Sequence, residues 1–110
     1  TIQSWLDASS QCQTYGYELV TVTTNTENTW VDSTADTFST GKWHIGLSDQ
    51  TSEGTWVWAS GEATSYTNWK SGEPNGGTSE NCAQINRYHP TRTWNDEGCT
   101  QSLAFVCEIN

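Results

Sequence analysis

Basic residues are scarce: four lysines and arginines stand against thirteen acids, for a net charge of -9. Nucleic acid and anionic membrane are recognised by basic surface, so neither is expected as a partner. No apolar stretch approaches the roughly 18 residues that a membrane span needs, and no charged-then-apolar leader is visible, so the sequence reads as a mature, soluble form. The absence of any Asn-x-Ser/Thr acceptor removes N-glycosylation from expectation. No Cys-x-x-Cys pair or Cys/His spacing appears, which argues against a zinc site and against four reduced thiols. No internal repeat, linker or low-complexity segment is present, and residues 1–110 read as one domain.

Hydrophobic residues are also few, at 33%. Seven Trp and four Tyr must therefore supply most of a thin core. Two disulfides among Cys12, Cys82, Cys99 and Cys107 would help to offset that thinness and point to an oxidising, extracellular setting. The sequence alone does not choose among the possible pairings.

Local signals place the elements. Ser4-Trp5-Leu6-Asp7 is a capping box, followed by Trp5, Ala8, Cys12 and Tyr15 at near-helical spacing and stopped by Gly16, which predicts a helix over 5–15. A β-branched run predicts a short strand over 19–22. Thr24-x-x-Glu27 opens a second helix with an apolar face of Trp30, Val31, Thr34, Ala35 and Phe38, and Gly41 ends the segment. Strands are expected over 43–47 and 55–58, then short ones over 82–86 and at Trp94, and a closing strand over 103–109. Between them, 59–81 is irregular and rich in glycine and hydroxyl side chains, and a loop of this length in a small domain is normally functional.

That loop and the stretch after it carry the chemistry. Glu73, Asn75, Glu80, Asn95 and Asp96 mix carboxylates with amide carbonyls, the donor set that Ca²⁺ takes, about 6–8 oxygens in all. Cys82 and Cys99 bracket the segment joining the two clusters, so a bridge between them would fix one cluster against the other. Pro74 allows a cis bond, and with it a tight turn that pairs Glu73 with Asn75. The plainer reading of these residues is a polar surface loop of turn formers. Glu73 with Asp96 could be imagined as a glycosidase dyad, but carboxylates committed to a cation make poor general acids, and an enzyme is not expected. Trp56, Trp58, Trp69 and Trp94 are assigned to packing, and His44 and His89 to structural or exposed positions.

Gly54-Thr55-Trp56-Val57-Trp58, Tyr66-Thr67-Asn68-Trp69, Glu73-Pro74-Asn75, Glu80-Asn81-Cys82, Trp94-Asn95-Asp96, Cys99 and Phe105-Val106-Cys107-Glu108 follow one another in order. Together, across residues 5–108, they resemble a C-type lectin carbohydrate-recognition domain. The resemblance implies an α+β fold with two helices, small antiparallel sheets and a long irregular binding loop. It also implies nested disulfides, Cys12 with Cys107 and Cys82 with Cys99. It makes Glu73, Asn75, Glu80, Asn95 and Asp96 ligands of both calcium and sugar, two vicinal hydroxyls completing the ion's shell. Asp49, Glu53 and Glu80 match an auxiliary calcium site, weakened here because Gly76 and Asn81 stand where acids are frequent.

The Glu-Pro-Asn order resembles the mannose-type subset, which accepts mannose, glucose, N-acetylglucosamine and fucose, whereas the galactose-type pattern is Gln-Pro-Asp. The rival expectation is a protein-interaction or structural module that keeps the fold without sugar binding. Two departures stand out. The strand that usually precedes the first helix is short or absent, and Trp43-His44-Ile45-Gly46-Leu47 replaces the usual Trp-Ile-Gly-Leu. A shallow one-sugar contact and an open edge on the closing strand lead us to expect a homodimer or higher oligomer, secreted and acting on glycans.

Overall fold

The computed structural model describes residues 2–37, 41–85 and 91–109, with the side chain of Ile109 left aside. Helix α1 spans Trp5–Thr14, one residue short of the expectation, because Tyr15 is already the cap and Gly16 turns the chain away at φ +79. Ser4 Oγ accepts from the Asp7 N–H at 3.3 Å, as the capping box predicts. Helix α2 spans Asn25–Asp36; Thr24 Oγ1 accepts from the Glu27 N–H, and Glu27 reaches back to Thr23, whose N–H and hydroxyl hold its carboxyl below the usual range.

The buried face of α2 differs from the expected one. Asn28, Val31, Asp32 and Ala35 point inward, and Trp30 is 65% exposed, since it lies one residue, about 100°, away from the Val31 line. Phe38 lies outside the described residues, as do His89 and Asn86. The inward polar pair has a purpose: Asn28 Oδ1 accepts from the Trp94 indole at 2.7 Å, its Nδ2 donates to the Arg92 carbonyl at 2.9 Å, and Asp32 pairs with Arg92 Nε at 3.6 Å. The helix thus grips the segment that enters the strand carrying Trp94, Asn95 and Asp96.

Seven short strands follow: β1 (Tyr17–Leu19), β2 (Trp43–Ser48), β3 (Val57–Trp58), β4 (Cys82–Ile85), β5 (Trp94–Glu97), β6 (Ala104–Phe105) and β7 (Cys107–Ile109). The main sheet runs β3-β2-β4-β5, with β6 parallel to the start of β2. All six residues of β2 are buried, as befits a central strand. His44 is buried too, bonded through Nε2 to the Gln3 carbonyl, and burial lowers its pKa. Trp5 Nε1 donates to the Ile45 carbonyl at 2.8 Å, so the altered Trp43-His44 packing is anchored by α1. Gly46 is required there: its N–H meets the Val20 carbonyl at 2.9 Å, and a Cβ would sit 2.8 Å from the Leu19 carbonyl oxygen.

The second sheet is β1 with β7, antiparallel. The expected strand over 19–22 begins earlier, at Tyr17, and leaves its register after Leu19. The expected closing strand divides at Val106, β6 serving β2 and β7 serving β1. Ahead of α1, the first strand is reduced to one antiparallel bridge, Gln3 with Leu103. The strand expected over 55–58 is Val57–Trp58 alone. Both disulfides pair as the resemblance implies, Cys12–Cys107 joining α1 to β7 and Cys82–Cys99 joining β4 to the loop after β5.

Candidate functional site

The site forms where the 68–80 loop lies along β5. Trp94 donates its N–H to the Asn68 carbonyl and accepts from the Lys70 N–H, both at 2.8 Å, and Lys70 in turn accepts from the Glu73 N–H. Beneath this seam Trp94 is fully buried, with Trp58, Tyr66 and Trp69 edge-on around it at 5.7–5.8 Å. The loop therefore rests on a rigid indole floor. The sequence predicted a strand only at Trp94, yet β5 continues through Glu97 and so holds Asn95 and Asp96 on regular backbone.

Asp96 clamps the turn above it. Its carboxylate accepts from the Asn75 N–H at 2.9 and 3.1 Å and from the Gly76 N–H at 2.8 Å. The Glu73–Pro74 peptide bond is cis. Asn75 Nδ2 stands 3.5 Å from Glu73 Oε2, so these two side chains form the expected pair. Asn95 is buried; its Nδ2 folds onto the Asp96 carbonyl at 3.0 Å and its Oδ1 is buried with no hydrogen-bond partner. A carbonyl oxygen withdrawn from water and left unbonded is costly unless a further donor or a cation completes it.

Glu80 occupies space that Gly76 leaves open: a Cβ on Gly76 would lie 2.2 Å from Glu80 Oε1. The pKa of Glu80 is raised, first by desolvation, then by a hydrogen bond with Glu97 and by the charges of Glu97, Asp96 and Glu73. Glu97 is thus a member of the cluster that the sequence reading missed, although it directly follows Trp94-Asn95-Asp96. Its proximity comes from the β4–β5 register, which sets Cys82 opposite Glu97 and returns Glu80 toward it.

The residues matched to the auxiliary site lie to one side. Asp49 is buried; its Oδ2 accepts from the Gly54 N–H at 2.8 Å, its N–H donates to the Asn81 carbonyl at 3.0 Å, and its Oδ1 has no partner. Glu53 is raised by desolvation, by a hydrogen bond with Asp49, and by the charges of Asp49 and Asp96. The charge of Asp96 thus reaches both groups, and it contributes to the raised pKa of Glu53 and of Glu80. Among the described residues, no three His, Cys, Asp or Glu side chains converge as a metal cage. An ion here would need the amide oxygens of Asn75 and Asn95 beside the carboxylates of Glu73, Glu80 and Asp96, and the unpartnered Asn95 Oδ1 suits such a hard cation.

Comparison with known proteins gives the family. The family model described as "Lectin C-type domain" matches residues 1–109. Lectin BRA-3 of Megabalanus rosa is 36% identical over 107 residues, covering 96% of this chain and 64% of its own length, so the chain spans less than two thirds of that relative. The C-type lectin CEL-I from Cucumaria echinata superposes with a TM-score of 0.91 at 26% identity, over 97% of this chain and 83% of that one. A calcium-independent type II antifreeze protein superposes with a TM-score of 0.87 at 26% identity, over 97% and 78% respectively. By family this is a binding module and not an enzyme. Its α+β fold, with two helices and nested disulfides, carries a long loop clamped onto a Trp-Asn-Asp strand, and the chain belongs to the C-type lectin domain family.

Proposed function

We propose that the chain is a calcium-dependent carbohydrate-binding module of the mannose type, acting outside the cell, with residues 1–110 forming one recognition unit. The observation that carries this reading is the Asp96 clamp, which gathers Glu73, Asn75 and Asn95 at one place and leaves a buried amide oxygen to be completed. Glu73, Asn75, Glu80, Asn95 and Asp96 hold the ion and the sugar, and Asp49, Glu53 and Glu80 form a weaker auxiliary calcium site. Bound calcium supplies positive charge and open coordination positions for two vicinal hydroxyl oxygens. Around it the carboxylates accept the hydroxyl protons and the Asn amides donate to the oxygen lone pairs. The Glu-Pro-Asn order sets that donor and acceptor pattern for mannose, glucose, N-acetylglucosamine and fucose.

The unit works as a homodimer or higher oligomer, because a single-sugar contact of about millimolar strength needs multivalency to capture a surface. Calorimetry with mannose tests the core of the reading: binding in calcium that vanishes in excess chelator is expected, and unchanged affinity in chelator would refute it. A second reading is a module without sugar binding. The antifreeze relative favours it, since a protein of the same fold is described as calcium-independent.

A further inference from the structure

Asn75 is the one asparagine of the sequence that a glycine follows. We infer that Asn75–Gly76 is a site of covalent self-modification, at which the Gly76 backbone nitrogen displaces the Asn75 amide, and that a cation bound in the cluster guards it. The guard and the functional consequence rest on the calcium reading, whereas the chemistry at the dipeptide does not.

The reaction is intramolecular. A base in solvent takes the Gly76 N–H proton, the nitrogen bonds to Asn75 Cγ, and the Cγ–Nδ2 bond breaks with release of ammonia. The cyclic imide then opens with one water, at either carbonyl, to aspartate or isoaspartate at position 75. No oxidant, cofactor or second protein is consumed. A side chain on the attacking residue would hinder the approach, and Gly76 has none. Every other asparagine within the chain precedes a residue that carries one.

The structure leaves the electrophile loose and the nucleophile held. Asn75 is exposed, and its amide nitrogen stands 3.5 Å from Glu73 Oε2, at the limit of a hydrogen bond. Asn95 and Asn28, by contrast, are buried with their amides bonded at 2.7–3.0 Å. The Gly76 N–H is bonded to the Asp96 carboxylate at 2.8 Å, so cyclisation requires that bond to break. Whatever secures the bond therefore sets the rate. Without a cation, Asp96 lies among like charges, since its own charge acts on both Glu53 and Glu80, and that repulsion loosens the clamp. With a cation bound, the repulsion is relieved and the Asn75 amide is committed through Oδ1, so turn and side chain are both fixed. Coordination also polarises Cγ, yet a nitrogen that stays bonded to Asp96 does not reach it.

The product changes recognition. The Asn75 amide, which donates to a sugar oxygen in the proposed site, becomes a carboxylate that only accepts, and isoaspartate also lengthens the backbone before Gly76. Loss of calcium thereby becomes irreversible loss of the sugar site.

The test incubates the full chain at neutral pH in calcium or in chelator, and mass spectrometry of its peptides follows every asparagine. A gain of about 1 Da, the exchange of NH₂ for OH, is expected at Asn75 ahead of all others, with uptake of heavy oxygen when the water carries it. Because only the ion-free form reacts, calcium at about ten times its dissociation constant should slow the conversion about tenfold. Chelator-aged protein returned to calcium, like the Asn75→Asp variant, should bind mannose at least about tenfold more weakly than fresh protein. Asn75 left intact in chelator, equal rates in chelator and in calcium that calorimetry shows to be bound, or full mannose affinity in the converted protein overturns the inference alone. A fresh chain that binds no calcium or no mannose overturns the reading beneath it as well.

Discussion

Gly76 is the sharpest handle on the site, because its role is purely one of space. Its φ of -94 is open to any residue, so substitution carries no backbone penalty. A Cβ there would nevertheless meet Glu80 Cβ and Oε1 at 2.2 Å and Cγ at 2.3 Å, more than an ångström inside ordinary contact. Rotating the carboxyl away does not suffice, since Glu80 Cβ is part of the backbone-fixed stem. The turn cannot retreat freely either, because the Gly76 N–H is bonded to Asp96. Overpacking of this kind costs about 1–3 kcal/mol. If the strain is relieved by expelling Glu80 from the cluster, it appears as a loss of about 10–100-fold in calcium affinity. Gly98→Ala is the matched control, because a Cβ at Gly98 meets only the Ser79 carbonyl oxygen, at 3.8 Å. Calcium titration calorimetry on both variants, with thermal unfolding in chelator, separates the outcomes. Gly76→Ala should bind calcium weakly and Gly98→Ala normally. A calcium affinity for Gly76→Ala within about twofold of wild type would refute the placement of Glu80 beside the ion.

Acidification should act with opposite sign with and without calcium. Glu53, Glu80 and Glu108 are all raised above the ordinary 4.5, so at these three positions the fold holds more protons than the unfolded chain in the window above that value. Their contribution is present below about pH 4.5 and is lost as pH rises through the folded pKa. The lowered His44 and Glu27 work the other way, their contributions being lost as pH falls below 6.5 and below 4.5 respectively. With calcium, protonation competes with the ion, so the calcium-induced rise in melting temperature should shrink steadily from neutral pH to about pH 4.5; a rise that stays constant in differential scanning fluorimetry would refute the carboxylate ligands. Glu73→Gln with Asn75→Asp exchanges donor and acceptor at the paired positions and should move preference from mannose toward galactose; a double variant that binds calcium normally and still prefers mannose on a glycan array contradicts the motif reading. For assembly, light scattering at micromolar concentration in calcium should give at least twice the 12.2 kDa chain mass, and the monomer mass would refute the oligomer.

Much of the fold was legible because its punctuation is local. Ser4 and Thr24 cap their helices where the sequence puts them, and Gly16 ends the first helix, since each feature depends on residues within a turn of one another. What escaped were the faces and extents decided by distant partners. Hydrophobicity alone places Trp30 inward, whereas Asn28 and Asp32 hold that face because they bond Trp94 and Arg92, which lie 66 and 64 residues from Asn28 along the chain. The closing strand divides at Val106 because two different strands, β1 and β2, lie along its length.

The site shows the same division. Candidate ligands announce themselves by residue type, and a proline between Glu73 and Asn75 announces a turn, so the sequence points to the right neighbourhood. It says nothing of which neighbours touch. Glu97 joins Glu80 only through a strand register that pairs Cys82 with Glu97, and the carboxyl of Glu80 has room only because residue 76 lacks a Cβ. Trp56 and Trp58 look alike in sequence, two indoles separated by Val57, and packing was the natural assignment for both. Trp58 closes against Trp94 inside the core, while Trp56 meets Trp69 and with it lines a cavity that reaches Asn75 and Asp96. The distinction depends on where the 68–80 loop is pinned, and the pin is Asp96: a single carboxylate fixes the turn through two backbone N–H groups and so holds Asn75, with Glu73 beside it, over the strand that carries Asn95.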